Sequence, residues 1–440
     1  MSNYKLKNIR EAYKNKILSK KVYQLERKLI PLLKEMEQIG IKLDFSLLRA
    51  LSKKLNARLR ELENRIYKVA GVKFNISSSQ QLSEILFKKL GIFAAGLKKT
   101  SSGTISTAAS ELLKIKNKHK IINLVLEYRE LAKLKNTYLD TLPKLADPQT
   151  HRVHTTYHQL GTMTGRLSSS GPNLQNIPIH GEWGREIRKA FIAENGYKLL
   201  SADYSQIELR VVACLAKDKK MLEAFRENQD IHKITAAEVN NLPLIKITPE
   251  MRYQAKALNF GVIYGMSVVG FAQAARISNE KAKEFIQEYK KDFSGIAEYV
   301  ERIKEKARKK GYVETALKRR RYLPQITSSD FRFRQASERM AINMPVQGTA
   351  ADIMKVAMVR ARHKLKKAKT KTRILLQVHD ELVLEAKNNE AEKTAEIIRD
   401  AMENVLEDPI FKEVKPIFQI PLKVDIKMGD NWGTCQNYPK

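Results

Sequence analysis

Apolar residues near the start of the chain recur at the spacing of α-helices. Between residues 25 and 39 they return every three or four positions, and Pro31 predicts a kink in that helix. Asp44 is predicted to cap a second long helix. Ser78 and Gln81 have the spacing of a capping box, which predicts the start of a further helix. The first third of the chain is therefore predicted to be mostly helical.

From about residue 150 the pattern changes to strands separated by long helical segments. YKLLSADY (197–204) is apolar and predicts a buried strand, whereas PLKVDIKM (421–428) alternates like a strand with one face in water. RILLQV and ELVLE flank His379 and Asp380, which predicts a hairpin with a two-residue turn. Helical patterns occupy residues 215–310 and 349–368. This order predicts an α+β fold built on a small antiparallel sheet.

The charge of the chain indicates the kind of partner. With 440 residues, of which 43% are hydrophobic, the chain can form two or three domains with buried cores. Its 81 Lys and Arg against 48 Asp and Glu give a net charge of +33. A genome rich in Lys codons explains part of this excess. An excess of this size still favours a nucleic-acid partner over a membrane surface.

Cysteine content and apolar runs indicate the compartment. Cys214 and Cys435 provide neither a disulfide framework nor a Cys-based zinc site, which suits a reducing compartment. No apolar run reaches the roughly 20 residues that span a bilayer, and the N-terminus lacks the apolar core of a secretory signal. We expect no membrane partner. In a bacterium the protein would be cytoplasmic and nucleoid-associated, and an organelle or a phage-infected host stays open.

Two aspartates at the ends of predicted strands are candidates for metal binding. Phosphoryl transfer is commonly catalysed by two metal ions roughly 3.5–4 Å apart, bridged by carboxylates. Asp203 at the end of one strand and Asp380 in the hairpin turn meet that need if their strands are neighbours. Glu381 is a weaker ligand candidate because successive side chains point in opposite directions along a strand. An aspartate at a strand end is otherwise more often a turn former.

A predicted helix carries four candidate nucleotide-binding residues. Arg252, Lys256, Phe260 and Tyr264 recur every four residues and therefore share one helix face. Two cations followed by two aromatics can bind phosphate at one end of the stripe and stack on a base at the other. The alternative is a helix with an amphipathic edge and ordinary core aromatics.

Five ordered segments resemble the family A DNA polymerases. DYSQIELR (203–210), RYQAKALNFGVIYG (252–265) and QVHDELVLE (377–385) resemble motifs A, B and C of that family, and TGRLSSSGPNLQNIP (164–178) and NMPVQGTAADI (343–353) match two further signatures. The resemblance extends from about residue 20 to the C-terminus. It implies a right-hand polymerase fold with an antiparallel palm sheet, a helical thumb and helical fingers. The expected bounds are an N-terminal helical extension at 1–22, thumb at 23–145, palm at 146–215 and 339–440, and fingers at 216–338.

This resemblance implies a DNA-directed DNA polymerase that extends a primer 5′–3′ with dNTPs. Asp203 and Asp380 would hold two Mg²⁺ ions with the backbone carbonyl of Tyr204, and Mn²⁺ could substitute. Lys256 would be a proton donor to pyrophosphate, and Glu381 is grouped with it among the catalytic residues.

The resemblance also assigns the residues around the nucleotide. Arg252 and Lys256 would bind the triphosphate, Phe260 the sugar, and Tyr264 would lie beside the templating base. Glu208 would block a ribose 2′-hydroxyl and so select DNA synthesis. Gln206 and His232 complete the expected nucleotide-binding residues.

A third group matches family positions near the minor groove of the primer–template, where acceptors lie at similar places for every base pair. These expected DNA-binding residues are Arg166, Asn173, Gln175, Asn176, Arg339, Asn343, Gln347 and His379. KRRRY (318–322) and FRFRQ (331–335) resemble a track for the template strand. The loop KKTSSGTIST (98–107) is a solvated connector or a phosphate-gripping tip.

Other features limit the prediction. His151, His154 and His158 have metal-like spacing, but their segment is strand-like and would not gather them, so no zinc site is expected. His180 stands where the family commonly has Arg, and His180→Arg is predicted to lower the nucleotide KM. No nuclease or editing domain is expected before the thumb, which predicts a polymerase without proofreading. We expect a monomer, with a nuclease or processivity factor possible on another chain. The alternatives are a catalytically silent DNA-binding protein and an RNA-polymerase-like relative, which Glu208 disfavours.

Overall fold

A computed structural model describes residues 8–179 and 181–439. The prediction about His180 lies outside these residues. The helices before residue 150 are α1 (Ile9–Lys14), α2 (Lys20–Ile39), α3 (Phe45–Ala70), α4 (Ser79–Ser83), α5 (Ala109–Lys114), α6 (Lys120–Leu134) and α7 (Leu142–Leu145), with π-helical turns at Glu84–Lys89 and Lys135–Leu139. The later helices are α8 (Glu182–Lys189), α9 (Ile207–Ala216), α10 (Lys219–Arg226), α11 (Ile231–Asn240), α12 (Pro249–Ile263), α13 (Val268–Ala275), α14 (Asn279–Asp292), α15 (Ser294–Lys310), α16 (Phe331–Lys367) and α17 (Ala391–Glu403).

The strands form small antiparallel sheets. They are β1 (Ile41–Leu43), β2 (Arg152–Val153), β3 (Thr156–His158), β4 (Ser168–Ser170), β5 (Phe191–Ile192), β6 (Tyr197–Tyr204), β7 (Tyr312–Glu314), β8 (Arg320–Tyr322), β9 (Arg373–Val378), β10 (Glu381–Lys387), β11 (Val424–Gly429) and β12 (Gln436–Asn437). The largest sheet has the order β12-β11-β6-β10-β9, and β2-β1-β5 forms a second one. The pairs β3–β4 and β7–β8 stand apart. The predicted strands and the predicted hairpin turn at His379–Asp380 are confirmed.

The central sheet is buried on both faces, which explains the continuous apolar run of β6. Leu200, Ala202 and Tyr204 belong to one hydrophobic cluster, which includes α9, α16 and the helices between residues 219 and 310. Leu199 belongs to the other cluster, together with Val383 of β10 and residues of α3 and α6. Because side chains alternate along a strand, successive residues of β6 supply two separate cores.

The first long helix packs with the central sheet. α2 contributes to the same hydrophobic cluster as β6 and α16, whereas α3 contributes to the other cluster. The predicted thumb at 23–145 thus contains helices of both cores, and its bounds remain a prediction. α2 runs as one helix through Pro31, and it packs against α16 and β9. It is therefore a connection between the helical start of the chain and the sheet.

The helix ends are set by side chains that the pattern partly predicted. The side chain of Asp44 accepts a hydrogen bond from Leu47 N at 2.9 Å, as predicted for a cap. The capping box is only half formed. Ser78 Oγ accepts from Gln81 N at 3.3 Å, but Gln81 Oε1 accepts from Asn75 N at 2.7 Å and does not return to Ser78. The reciprocal bond was therefore predicted wrongly, because a turn before the helix competes for the glutamine. Within the described ranges, no helix is both long and apolar enough to cross a bilayer.

Candidate active site

The two predicted catalytic aspartates meet at the end of the central sheet. Asp203 is the second-last residue of β6, with Glu381 of β10 and Asp425 of β11 paired with it on either side. Asp380 occupies the turn between β9 and β10, where His379 has a positive φ of 54°. Tyr204 N donates to the carbonyl of Asp380 at 3.1 Å, which joins the strand end to the turn. The register of the sheet thus brings together residues far apart in sequence.

The negative charge of these aspartates is not fully balanced by nearby cationic side chains. Loss of hydration, with the charges of Glu381, Asp380 and Asp425, raises the pKa of Asp203 to about 7. Asp203 is nevertheless accessible from the cleft. Burial also raises the pKa of Asp380, and Arg166 opposes this shift. Among the described residues Asp203 makes no ion pair, and Arg166 Nη2 lies 3.8 Å from Asp380 Oδ1. Repulsion of this kind would be relieved by a bound cation.

The donor set fits Mg²⁺. The carboxylates of Asp203 and Asp380 and the carbonyl of Tyr204 are hard oxygen donors, and Mg²⁺ commonly binds one or two carboxylates with water and substrate phosphates completing its shell. Across residues 8–179 and 181–439 no group of three or more His, Cys, Asp or Glu side chains forms a metal cage. An open site of this kind depends on the substrate to complete its coordination.

Glu381 has different surroundings from its two acidic neighbours. Its Oε1 accepts hydrogen bonds from Ser201 Oγ at 2.5 Å and from Trp432 Nε1 at 2.8 Å. Its Oε2 lies 3.8 Å from Arg188 Nη1. The residue is buried. Both carboxylate oxygens therefore face donors of the protein, and the weaker ligand role of Glu381 stays a prediction.

The cleft beside the aspartates contains most of the predicted nucleotide site. A cavity of about 240 Å³ is lined by Asp203, Asp380, Glu208, Phe260 and Tyr264, with Gln206 and His379 also on its wall. Gln206 precedes α9 in a left-handed conformation with φ of 54°, and its side chain makes no capping bond to that helix. The cleft therefore joins motifs that the sequence separates by up to 180 residues.

Helix α12 presents the predicted stripe. Thr248 Oγ accepts from Met251 N at 3.2 Å and starts the helix, with Pro249 in its first turn. Lys256 is exposed. The rings of Phe260 and Tyr264 stack with centroids 5.9 Å apart at 21°. The helix therefore has a cationic end in solvent and an aromatic end at the cleft.

Arg252, at the cationic end, already has an acidic partner. Its Nε donates to Asp230 Oδ2 at 2.6 Å. Asp230 also caps α11 by accepting from His232 N and Lys233 N. A triphosphate bound at this end would compete with Asp230 for Arg252.

Glu208 is held by two other site residues. Arg166 Nη2 lies 2.5 Å from Glu208 Oε1, and the hydroxyl of Tyr264 donates to Glu208 Oε2. Burial raises the pKa of Glu208 above its usual value, although the charge of Arg166 opposes this shift. Glu208 is only 5% exposed. Its carboxylate thus has a fixed position where α9, α12 and the segment before β4 meet.

His232 lies under α12 with its ring buried. The ring packs at 6.0 Å from that of Phe260, and its Nδ1 is 3.2 Å from Asn259 Nδ2. Burial lowers the pKa of His232 to about 4, with Arg252 and Lys256 adding to the effect and Asp230 opposing it. The imidazole is therefore neutral at pH 7.

The predicted DNA-binding residues form two groups. Arg339, Asn343 and Gln347 recur every four residues on α16 and therefore share one face of that helix, where Gln347 interacts with Tyr264. Asn343 Oδ1 and Arg166 Nε are both buried, and neither atom has a hydrogen-bond partner among the described residues. These atoms are available to a ligand.

In the second group, the side chains of Asn173 and Gln175 make hydrogen bonds within the protein. Asn173 Oδ1 accepts from Gln175 N at 2.9 Å, and Gln175 Nε2 donates to Gln377 Oε1 at 2.9 Å. The side chain of Gln377 in turn donates to the carbonyl of His379. Asn176 is exposed, and its carbonyl accepts a bond from Tyr138. DNA contacts by Asn173, Gln175 and Asn176 stay a prediction.

The three spaced histidines have separate partners. His151 stacks on Phe45 at 4.5 Å, His154 Nδ1 contacts the carbonyl of Glu37 at 2.9 Å, and His158 Nε2 contacts Ser170 Oγ at 2.6 Å. Each ring therefore belongs to a different local contact.

Sequence reasoning missed Asp425, Trp432, Arg188 and Asp230. Asp425 had a detectable signal, because the alternation of PLKVDIKM places it on the less buried face of a strand. The other three act through contacts between residues 22 to 193 positions apart, for which a single sequence carries no pattern.

Comparison with known proteins identifies the class of this site. The model of DNA polymerase family A matches residues 46–434, so the chain belongs to that family. It is 46% identical over 411 residues to DNA polymerase I of Bacillus caldotenax, covering 93% of this chain and 45% of the relative. It is 45% identical over 409 residues to the thermostable DNA polymerase I of Thermus aquaticus, covering 93% of this chain and 48% of the relative. The chain thus spans about half the length of the curated relatives it matches.

A solved structure supports the fold. The POL domain of Pol1 from M. smegmatis, in complex with DNA primer-template and dNTP, superposes with a TM-score of 0.88 at 38% identity, covering 97% of this chain and 73% of that one. The predicted family and the predicted α+β fold class are therefore confirmed.

Proposed function

We propose that the chain catalyses template-directed 5′–3′ DNA synthesis from dNTPs on a primed DNA template. The observation that carries the proposal is the cleft in which the poorly compensated aspartates Asp203 and Asp380 face the aromatic end of α12. The relatives named DNA polymerase I and the neighbour bound to primer-template and dNTP support it.

The metal site would consist of Asp203, Asp380 and the carbonyl of Tyr204, with two Mg²⁺ ions that Mn²⁺ can replace. When bound, these ions would lower the pKa of the primer 3′-hydroxyl and offset the charge of the triphosphate and the departing pyrophosphate. The raised pKa values of both aspartates support this assignment, because a cation would favour their ionised forms.

The residues of α12 would bind the incoming nucleotide. Arg252, released from Asp230, and Lys256 bind the triphosphate oxygens. The primer 3′-hydroxyl gives up its proton to water, and its oxygen forms a bond to the α-phosphorus. The bond from the α-phosphorus to the oxygen that bridges it to the β-phosphate breaks, and Lys256 donates a proton to the departing pyrophosphate. Phe260 packs on the sugar, and Tyr264 lies beside the templating base. His232, neutral beneath this helix, supports the triphosphate end.

Glu208 would exclude ribonucleotides. Its carboxylate would be kept from moving away from a 2′-hydroxyl, because Arg166 and Tyr264 each donate to one of its two oxygens. Loss of either donor would let the carboxylate rotate and weaken the selection.

The primer–template would lie along α16. Arg166, Arg339, Asn343, Gln347 and His379 present donors and acceptors toward its minor groove, with the orphaned atoms of Arg166 and Asn343 the strongest support. We propose that the chain works as a monomer on DNA at the nucleoid of a bacterial host, with any nuclease or processivity factor on another chain.

Primer extension tests this function. With Mg²⁺ and dNTPs the chain should extend a primer on singly primed and gapped templates, and rNTPs should be poor substrates. Asp203→Ala and Asp380→Ala should each reduce extension to background while DNA binding persists. Asp430→Ala, an exposed residue paired with Lys198, is the matched control and should keep activity. Absence of extension by the wild type would refute the function, whereas equal loss of DNA binding would refute the metal assignment.

A further inference from the structure

A buried network surrounds Glu381 behind the two aspartates. Its members besides Glu381 are Ser201, Arg188 and Trp432, and all four are under a tenth exposed. Ser201 and Trp432 donate to the same oxygen of Glu381, and Arg188 faces the other. The guanidinium of Arg188 also lies 3.8 Å over the indole ring of Trp432. Each side chain in this network thus contacts at least one other member.

The network is anchored to the chain at both of its outer members. Arg188 of α8 donates to the carbonyl of Pro178 at 3.1 Å and to that of Ile177 at 3.3 Å. Trp432 N donates to the carbonyl of Phe191 at 2.9 Å, and the Phe191 ring meets the indole edge-on at 5.6 Å. Neither residue can follow Glu381 if that side chain moves. They act as fixed supports for it.

Glu381 lies between the two aspartates, next to Asp380 in the chain and opposite Asp203 in the sheet. It begins β10 directly after Asp380, and it is paired across the sheet with Asp203. It lines both the nucleotide cleft and a neighbouring cavity of about 660 Å³ that reaches the C-terminal segment. A freed Glu381 carboxylate would therefore bring a further negative charge to two aspartates that already repel each other.

We propose that Trp432 and Arg188 are positioning residues of the polymerase site, which act through Glu381 to fix the Asp380 turn against Asp203. This inference rests on the proposed function. The C-terminal segment, which carries Trp432 just beyond β11, is then part of the support of the metal site. Partners that orient the ligands of a metal commonly change metal affinity or activity by about 10-fold to 100-fold.

Trp432→Phe is the sharpest variant, because it keeps an aromatic ring against Arg188 while it removes the N–H donor to Glu381 together with the pyrrole part of the indole. We expect kcat for primer extension to fall about 10-fold. The dNTP KM should change by less than about twofold, since Arg252 and Lys256 lie on α12 and contact no member of the network. Binding of Mn²⁺ to the protein–DNA complex, measured by electron paramagnetic resonance without nucleotide, should weaken by a similar factor.

A double-mutant cycle asks whether Trp432 acts through Glu381. In a Glu381→Leu background, which leaves no acceptor for Trp432 Nε1, Trp432→Phe should have little further effect on kcat or Mn²⁺ binding. Trp183→Phe is the matched control, because it alters the only other tryptophan, a helical residue of α8 outside the network whose ring lies near Lys54. Ser201→Ala, which removes one hydroxyl donor, is expected to act in the same direction with a smaller effect.

The outcomes separate this inference from the function on which it rests. A wild-type chain that does not extend primers refutes the proposed function. If the wild type is active and a folded Trp432→Phe variant has the same kcat and the same Mn²⁺ affinity as the wild type, only the positioning role is refuted. An undiminished Trp432 effect in the Glu381→Leu background also refutes it. If Trp432→Phe fails to fold, the Ser201→Ala variant decides by the same two measurements.

Discussion

Asp203 shows how one residue can set the pH dependence of the whole site. Its folded-state pKa of about 7 lies above the value of about 3.9 expected in an unfolded chain. The folded protein therefore prefers the protonated form, and that contribution to stability is present at low pH and lost as the pH rises through about 7. Stability of the metal-free protein at pH 8 is reduced by this charge.

Asp203→Asn should remove the loss of stability that the wild type shows when Asp203 ionises at high pH. Without metal, in EDTA, the variant and the wild type should melt at similar temperatures at pH 5, and the variant should melt a few degrees higher at pH 8. Added Mg²⁺ should shrink the difference, because the cation stabilises only the wild-type carboxylate. Thermal melts followed by circular dichroism from pH 5 to 8.5 check this, with Asp430→Asn as control. A difference that does not depend on pH would contradict the assignment.

Glu208 gives a prediction about substrate choice. Glu208→Ala should open the space beside the sugar and leave Arg166 without its 2.5 Å partner. The preference for a dNTP over the matching rNTP, as the ratio of kcat/KM values, should fall by about 100-fold. Tyr264→Phe, which removes one donor to Glu208 and keeps the ring, should lower the ratio less. Glu223→Ala, exposed on α10, should leave it unchanged. An unaltered ratio in Glu208→Ala would argue for another selecting residue.

Single residues were predictable where a local period or a motif marked them. The stripe of Arg252, Lys256, Phe260 and Tyr264 follows from helical spacing, and its cationic and aromatic ends occur as predicted. That Asp203 and Asp380 meet depends on sheet register, which the sequence does not state. The partner of Arg252, Asp230, lies 22 positions away and could not be read from any local pattern.

At the scale of elements, α11 and α12 are joined by the ion pair between Asp230 and Arg252. The pair is partly exposed, so its net stabilisation is small, about 0–1 kcal/mol. A triphosphate that binds Arg252 as proposed would displace Asp230 from it. Asp230→Asn removes the competing charge and keeps a side chain that can cap α11.

We therefore expect Asp230→Asn to lower the dNTP KM by about two- to threefold with little change in kcat. The variant removes an ion pair of about 0.5 kcal/mol that competes with the triphosphate for Arg252, and this free energy corresponds to a two- to threefold change in binding. Steady-state primer extension measures both constants. Glu250→Gln, which removes one exposed negative charge from the first turn of α12, is the control for a general charge effect. A higher KM in Asp230→Asn would show that the aspartate instead helps to hold the nucleotide site.

A buried charge cluster joins α2, the β7–β8 connection and α16. Glu26 lies 2.6 Å from Arg319 Nη2 and 2.5 Å from Lys355 Nζ, and Arg319 Nη2 lies 2.7 Å from Asp352 Oδ1. All four are at most 3% exposed. Burial alone would raise the pKa of Glu26, but the charges of Lys355 and Arg319 hold it below its usual value. Two acids and two bases thus balance inside the protein.

Glu26→Gln should leave a buried positive charge without its partner. We expect a loss of about 3–5 kcal/mol in the free energy of unfolding at pH 7. Because the pKa of Glu26 is lowered in the folded state, the wild-type advantage should be lost as the pH falls below the normal carboxylate range. Denaturant unfolding at pH 7 and pH 3.5 measures it. The control is Glu413→Gln, which breaks the exposed ion pair between Glu413 and Lys21 of α2, the helix that also carries Glu26. It should lower the free energy of unfolding by less than about 1 kcal/mol. Equal effects of the two variants would show that the cluster is not stabilising.

The sequence predicted which segments are helical better than it predicted where each helix begins and ends or which elements it packs against. A helical pattern was recognised over 349–368, but α16 begins at Phe331. Its first half carries polar residues such as Arg339 and Asn343, which interrupt the apolar stripe from which the helix was predicted. Likewise the contacts of α2 with α16 and β9 join segments far apart in the chain and have no local pattern in the sequence.

At the scale of the molecule, the central sheet separates two hydrophobic cores. Alternate residues of β6 and β10 belong to different clusters, so the active site lies at the end of a sheet that is supported from both sides. The sequence predicted the buried strand of β6 but could not say which elements would cover each face, because this depends on contacts between distant segments. Support from both faces explains how short strands can hold the aspartates in place.

The net charge of +33 leads to a prediction about DNA binding. Each neutralised phosphate releases counterions, so the logarithm of the binding constant should fall linearly with the logarithm of salt concentration. For six to ten phosphate contacts we expect a slope of about −5 to −9 for a primer–template duplex. Fluorescence anisotropy between 50 and 300 mM salt can measure it.

Two pairs of lysines test where those contacts lie. Lys98 and Lys99 are exposed in the loop before α5, and the loop is fixed where Lys98 N donates to Glu111 Oε2 at 3.1 Å. Changing both to Gln should make the slope shallower by about 2 if each contacts one phosphate. Lys367 and Lys369 are equally exposed, but they lie at the far end of α16, about 36 Å along the helix from Asn343. Changing these two to Gln should leave the slope unchanged. Equal changes from the two pairs would mean that DNA binding follows total charge and not a defined track across the loop.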